Sequence, residues 1–188
     1  MTMTSTGSAL VPLIAVVLGA ALVAAQTAPE TFTGTASIRK GAARVSAPLS
    51  VTITRYASPE ERDAVLMAVR EGGNGSARKT LAAMKDAGVL QVGDRRTPIK
   101  FAAQRPTGSG RLVTLLTAEP VLFVGGGLPD AKPRDGFDLA LAILDLGQGS
   151  GVGELVPAAK IGVDHGGALV TEDYGAMVVW LHDLIRKH

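Results

Sequence analysis

The sequence predicts an α+β fold: a mainly antiparallel β-sheet, either a sandwich or a part-closed barrel, with one helical hairpin packed on it. Three observations point there. Between Thr31 and Thr54 apolar residues alternate with Thr and Ser, the period-two pattern of half-buried strands. A capped stretch of helical period interrupts that pattern from Ser58. From Val89 onward, short apolar runs alternate with Gly- and Pro-rich turns, which suits strands joined by tight connections.

The chain opens differently. Met1 to Ser8 is polar and uncharged, and Ala9 to Val23 is almost unbroken Ala, Val, Leu and Ile. Val23-Ala24-Ala25 places small residues where a signal peptidase cuts. Residues 1–25 are therefore expected to be a signal peptide, and 26–188 a single α+β domain, periplasmic or secreted. The departure from the usual layout is the missing basic start: the first basic residue is Arg39. The apolar run is also at the short edge of a bilayer span, which needs roughly 20 residues. A retained membrane anchor is the alternative, and only then is a membrane contact expected.

The elements follow in order. Phe32, Gly34, Ala36 and Ile38 alternate with polar residues, as do Leu49, Val51 and Ile53 after the Lys40-Gly41 turn. These read as an antiparallel pair with Thr and Ser on the wet face. In Ser58-Pro59-Glu60-Glu61, Ser58 caps, Pro59 suits the first helical position and Glu61 completes a capping box. Gly72-Gly73 reads as a stop. A second helix is expected over Ser76 to Ala87, with Ser76 as its cap and Gly88 ending it. Val89 to Val92, Ile99 to Gln104 and Arg111 to Ala118 read as strands, the last two flanking a loop at Arg105 to Gly110. Val121 to Val124 is a further short strand, and Gly125 to Gly136 a long loop. Phe137 to Leu146 is strongly apolar, with Leu139, Ala140, Leu141, Ile143 and Leu144, and reads as a strand buried on both faces. Gly147 to Gly153 turns the chain. Leu155 to Val163 and Ala168 to Thr171 form a hairpin around Asp164-His165-Gly166-Gly167. In Tyr174 to Arg186, Met177, Leu181 and Leu184 fit a helix face, whereas Val178-Val179-Trp180 fits a strand; strand is the favoured reading.

Composition excludes several classes. There is no Cys, so there is no disulfide framework, thiol nucleophile or thiolate metal site. The net charge is +2, from 19 basic and 17 acidic residues that are interleaved, and aromatics make up only 4%. Nucleic-acid binding wants concentrated basic charge and stacking platforms, so none is expected.

Motifs of chemistry are weak. Gly147-Gln148-Gly149-Ser150-Gly151-Val152-Gly153 fails the dinucleotide spacing and is followed by strand-like sequence, leaving no helix start for a pyrophosphate. Gly125-Gly126-Gly127 lacks the Lys-Ser/Thr of a P-loop. Ser76-Ala77-Arg78-Lys79 matches S-x-x-K without its partner motifs, and Ser37-Ile38-Arg39-Lys40 matches it inside a strand. The three histidines, His165, His182 and His188, show no metal-ligand spacing. Asp164 and His165, near Glu172 and Asp173, offer a loose surface metal site, but Asp-His-Gly-Gly is also simply a good turn. No metal or cofactor is expected. For glycoside chemistry the available carboxylates are Glu119, Glu154, Asp138 and Asp145, with Trp180, Tyr56 and Tyr174 as aromatic platforms. Spacing in sequence does not pair them.

Ser58-Pro59-Glu60-Glu61-Arg62, Arg95-Arg96-Thr97-Pro98-Ile99-Lys100, Leu128-Pro129-Asp130-Ala131-Lys132-Pro133 and Leu169-Val170-Thr171-Glu172-Asp173-Tyr174-Gly175 resemble segments of a family of small exported bacterial proteins, acidobacterial-like, with no assigned activity. The resemblance spans most of residues 26–188. It implies export, a single domain and a strand near the carboxyl end.

The expectation is an exported, non-enzymatic domain that binds an apolar small molecule or an envelope protein. The chain is 46% hydrophobic, enough to line a pocket inside a part-closed sheet as well as a core. Loops on a rigid sheet are where recognition concentrates. The loop residues singled out are Arg95, Arg96, Asp130, Lys132, Asp164, His165, Glu172 and Asp173. The enzymatic alternative is a hydrolase with a dispersed site near Asp164 and His165.

Overall fold

Strand β1 (Glu30–Lys40) and strand β2 (Ala43–Ile53) pair antiparallel from Glu30 opposite Ile53 to Lys40 opposite Ala43. The alternation decides their faces. Phe32, Ala36, Ile38, Leu49, Val51 and Ile53 are buried on one side, and Thr31 and Thr52 share a hydroxyl contact on the other. The computed structural model describes residues 28–40, 42–121, 135–174 and 178–187. The expected signal segment, the end of the strand expected over Val121 to Val124, and the loop holding Asp130 and Lys132 lie outside the described residues.

Helix α1 (Pro59–Ala83) follows. Its start is as the sequence predicts: the Ser58 hydroxyl accepts from the Glu61 amide, and the Glu61 carboxylate accepts from the Ser58 amide. The expected break is there: Gly73 (φ 57°, ψ −154°) is non-helical and divides α1 into two helical halves. Only glycine adopts that conformation readily. Arg55 reaches both ends of the element, the Glu61 carboxylate at 2.6 Å and the Lys85 carbonyl at 2.8 Å, so the halves fold back on each other as the expected hairpin. Two bounds need correction: Ser76 lies inside the second half rather than capping it, and that half ends at Ala83 rather than Ala87. Asn74, the residue after Gly73, holds the break in place. Its amide donates to the Gly136 and Ala159 carbonyls at 2.7 and 2.6 Å and its oxygen accepts from the Ile161 amide at 2.8 Å.

The remaining strands are β3 (Gly88–Val92), β4 (Arg95–Ile99), β5 (Phe101–Thr107), β6 (Gly110–Leu116), β7 (Leu139–Gly147), β8 (Gly151–Val163), β9 (Leu169–Tyr174) and β10 (Val179–Lys187). Strand β4 takes in Arg95 and Arg96, expected on a loop, and the loop expected at Arg105 to Gly110 tightens to the turn Gly108-Ser109. The carboxyl-terminal segment is a strand, as favoured. β7 is buried on both faces over most of its length.

All pairing is antiparallel, in the order β4-β3-β2-β1-β10-β8-β7-β6-β5, with β9 beside β8. The sheet has to curl. Arg111 on β6 meets Glu30 on β1 at 2.8 Å, although four strand steps separate them. A flat sheet would place them about 19 Å apart, beyond the reach of an arginine. The two ends of the order, β4 and β5, are joined through Lys100 alone. This curled half-barrel fits the part-closed barrel of the two expected architectures.

Its concave side is a packed core of Leu49, Leu90, Leu115, Leu144, Leu155 and Leu181 with their neighbours. The outer face over β5 to β9 is covered by α1, where Val65, Val69, Ala77 and Leu81 pack on Phe101, Leu116, Leu141, Val156 and Ile161. Among the described residues no helix covers the outer face over β10 and the near ends of β7 and β8, which presents exposed Trp180 and Val152.

The start of α1 makes a prediction about acid. Arg55 donates to Glu61 at 2.6 Å and holds its carboxyl below the ordinary carboxylate range. A depressed value in the folded state stabilises the fold above the ordinary carboxylate pKa, and that contribution disappears as pH falls through the folded value. Glu61→Gln is expected to cost about 1 kcal/mol at pH 7 and to flatten the acid limb of stability measured by urea unfolding between pH 6 and pH 3.

Candidate functional site

The outer face of β7, β8 and β10 carries a groove of about 420 Å³, lined by Ile143, Asp145, Val152, Gly153, Glu154, Trp180, Leu181 and His182. Strand register assembles it. Ile143 lies opposite Glu154, and Glu154 lies opposite Trp180, so three strands contribute one row. Asp145 opposite Val152 forms the row beside it. Directly opposed side chains on one face sit about 5 Å apart at Cβ.

A bulge in β10 shapes one end. The register shifts between Leu181 and Leu184 against β8, and between Thr33 and Thr35 on the β1 side. Within it Asp183 has φ 54°, the one described residue other than glycine with positive φ. Bulges re-aim side chains, and a strained non-glycine residue next to a cavity is a pointer to function. Gly34 makes the bulge possible: a Cβ there would lie 2.5 Å from the His182 carbonyl oxygen. Gly34→Ala is expected to cost about 1–3 kcal/mol through overpacking and to shift the emission of Trp180, the single tryptophan of the chain. Thermal unfolding followed by tryptophan fluorescence reads both.

His182 Nε2 lies 2.9 Å from the Ser37 hydroxyl. The pair has the outline of a serine nucleophile with its base, but Ser37 is only 2% exposed. A substrate has no approach to its oxygen, so the contact fixes the imidazole beside the groove. Among the described residues, Asp145 and Glu154 form no ion pair, and no Lys or Arg lines the groove. No group of three His, Asp or Glu side chains among the described residues is placed to hold a metal ion.

A second cavity of about 290 Å³ opens at one end of the half-barrel, lined by Glu30, Phe32, Arg111, Arg186 and the glycines of the β7–β8 turn. Glu30 is 4% exposed. Its carboxylate accepts from the Tyr56 hydroxyl and from Arg111, both at 2.8 Å, and pairs with Arg186 at 3.2 Å. Arg111 also donates to Gln104 and lies over the Phe32 ring. Burial, with the Glu30 hydrogen bond and charge added, pushes the Tyr56 hydroxyl well above the usual tyrosine range. These groups satisfy one another and tie β1 to β6.

No known protein family, curated protein or solved structure matches the chain.

The loop residues chosen from sequence do not converge. Arg95 and Arg96 are exposed on edge strand β4. Asp164 closes a turn: its carboxylate accepts from the Ala168 amide at 2.8 Å, and its own amide donates to the Ala168 carbonyl. His165 is exposed at the tip of that turn. Asp164 also lines a cavity beside Arg62, Leu66 and Phe101 on the outer face. Glu172 lies against Gly162, and Asp173 accepts from the Tyr174 amide. Both acidic residues are exposed on β9, several residues from the turn. The groove residues Trp180, Glu154 and Asp145 appear in the sequence only as an aromatic platform and unplaced carboxylates.

Proposed function

We propose that the protein is an exported, non-enzymatic binding domain that takes an apolar small molecule in the groove beside Trp180. The observation that carries this reading is the half-exposed tryptophan, 50% accessible, beside Val152 at 54%, in a cavity lined by three strands of a rigid sheet. A soluble domain rarely leaves an indole and a neighbouring valine open without a partner for them. The volume lies within the range of small-molecule sites, about 300–1,000 Å³. Export rests on the apolar segment and small residues of 1–25. Among the described residues no helix is long and apolar enough to cross a membrane.

An envelope protein is the second reading. It is favoured by Ile185, 58% exposed further along the same strand, which extends the apolar strip past the groove.

Titration with N-phenyl-1-naphthylamine, a neutral apolar dye, tests the small-molecule reading. Saturable dye fluorescence with energy transfer from Trp180 is expected, and Trp180→Ala should abolish saturation while leaving the fold intact by circular dichroism. Uptake that never saturates, or that persists unchanged in the variant, refutes the assignment.

A further inference from the structure

We infer that the groove selects an organic cation: a small molecule with an apolar body and a positively charged, weakly hydrated head such as a quaternary ammonium. The inference rests on the binding reading above and names the ligand class of the same site. Three features of the groove argue for a positive head.

The first is charge. The protein carries a net charge of +2, yet among the described residues lining this groove are two carboxylates, Asp145 and Glu154, and no Lys or Arg. Neither carboxylate forms an ion pair among the described residues. An uncharged ligand leaves both charges uncompensated and takes away part of their water, which costs free energy. A cationic head compensates them.

The second is the position of the indole. Glu154 is directly opposite Trp180 across β8 and β10. A cation near that pair meets a carboxylate and an aromatic ring together. Tryptophan is the best of the side chains for a cation over its face, and the gain grows as the site is desolvated.

The third is the apolar remainder. Ile143 and Val152 alternate with the two carboxylates across β7 and β8. That arrangement suits a molecule with hydrocarbon beside its charge better than a metal ion, which wants several converging oxygens. It also disfavours a strongly hydrated primary ammonium, since shedding that water over an apolar floor is costly.

The test uses two probes of the same shape. Phenyltrimethylammonium and tert-butylbenzene differ in having nitrogen or carbon at the centre of the head, hence in charge. Each is titrated into the protein while the emission of Trp180 is recorded, alongside the N-phenyl-1-naphthylamine titration. The expected result is saturable binding of the cation at least about fivefold tighter than that of its neutral isostere. Glu154→Gln and Asp145→Asn should each shrink that preference. Equal affinity for the two isosteres overturns the cation inference and leaves the apolar-binding reading standing. Failure of all three probes to bind overturns both. Emission that changes with protein concentration alone, together with a dimer in sedimentation velocity, overturns the cation inference in favour of a second copy of the chain as the occupant.

Discussion

Asn74→Ala is expected to lower the stability of the fold by about 3 kcal/mol. The side chain is buried, and it makes hydrogen bonds to three backbone groups on two separate segments: Gly136 before β7, and Ala159 and Ile161 in β8. Truncation leaves the Ala159 carbonyl and the Ile161 amide without partners in an apolar layer where water does not replace them. Each orphaned buried group costs about 1–3 kcal/mol. The effect is not confined to β8. The register of β8 against β9 shifts between Lys160 and Ile161, and Asn74 bonds on either side of that shift. Losing the clamp therefore loosens the bulge and the helical hairpin together. For a domain of this size the change corresponds to a fall in Tm of about 6–12 °C. Asn74→Asp keeps an acceptor for Ile161 but points a carboxylate at two carbonyl oxygens, and it should be no milder at pH 7. A melting curve within a degree or two of the parent would remove Asn74 from this role.

Glu30→Leu has the second large effect, about 2–4 kcal/mol. It leaves the Arg111 and Arg186 guanidiniums without their shared counter-charge and the Tyr56 hydroxyl without its acceptor. Both arginines reach solvent in part, so the cost stays toward the lower end of what breaking a buried pair brings. Glu30→Gln separates charge from shape. With the carboxylate gone, the Tyr56 hydroxyl should titrate closer to the ordinary tyrosine value, yet stay above it, because burial is the larger cause of its displacement. Absorbance at 295 nm reads this directly, since the chain has two tyrosines and Tyr174 is exposed. The sign for stability follows. The folded state holds the Tyr56 proton after the unfolded chain has released its own, so stability is complete below pH about 10 and declines as pH rises beyond it. Glu30→Gln should make that alkaline decline shallower.

The sheet was largely legible because most of its strands are half buried. Alternation in Phe32 to Ile38 and Leu49 to Ile53 states which face is wet, and the apolar run Leu139 to Leu144 of β7 states that this stretch is covered on both sides. Strand β4 escaped because Arg95-Arg96-Thr97-Pro98 has the composition of a corner; an edge strand tolerates charge and proline for the same reason that a loop does. The helical hairpin is legible because Gly72-Gly73 is a local stop signal, and Gly73 is where the helix breaks. The start of the second half is not, because Asn74 is fixed there by tertiary bonds to residues more than 60 positions away. The groove was not legible at all. Asp145, Glu154 and Trp180 meet only once β7, β8 and β10 are in register, and the sequence contains no statement of register between non-consecutive strands. The loops chosen instead satisfy themselves locally, as Asp164 does in its turn.

The place of β10 has a bearing on when the protein can fold. The strands β4 to β1 form one antiparallel run and β8 to β5 another, and among the described strands the one that joins the two runs within the sheet is β10, inserted between β1 and β8. Ribosomal synthesis delivers it after the other nine strands. Until it arrives, β1 and β8 each present an unpaired edge, and the Glu30–Arg111 contact across the barrel cannot close. Such non-local closure is slow, on a scale of about milliseconds to seconds. A nascent chain of this topology stays unfinished until β10 is made, which makes the exposed edges of β1 and β8 the points where a holding chaperone has most to protect.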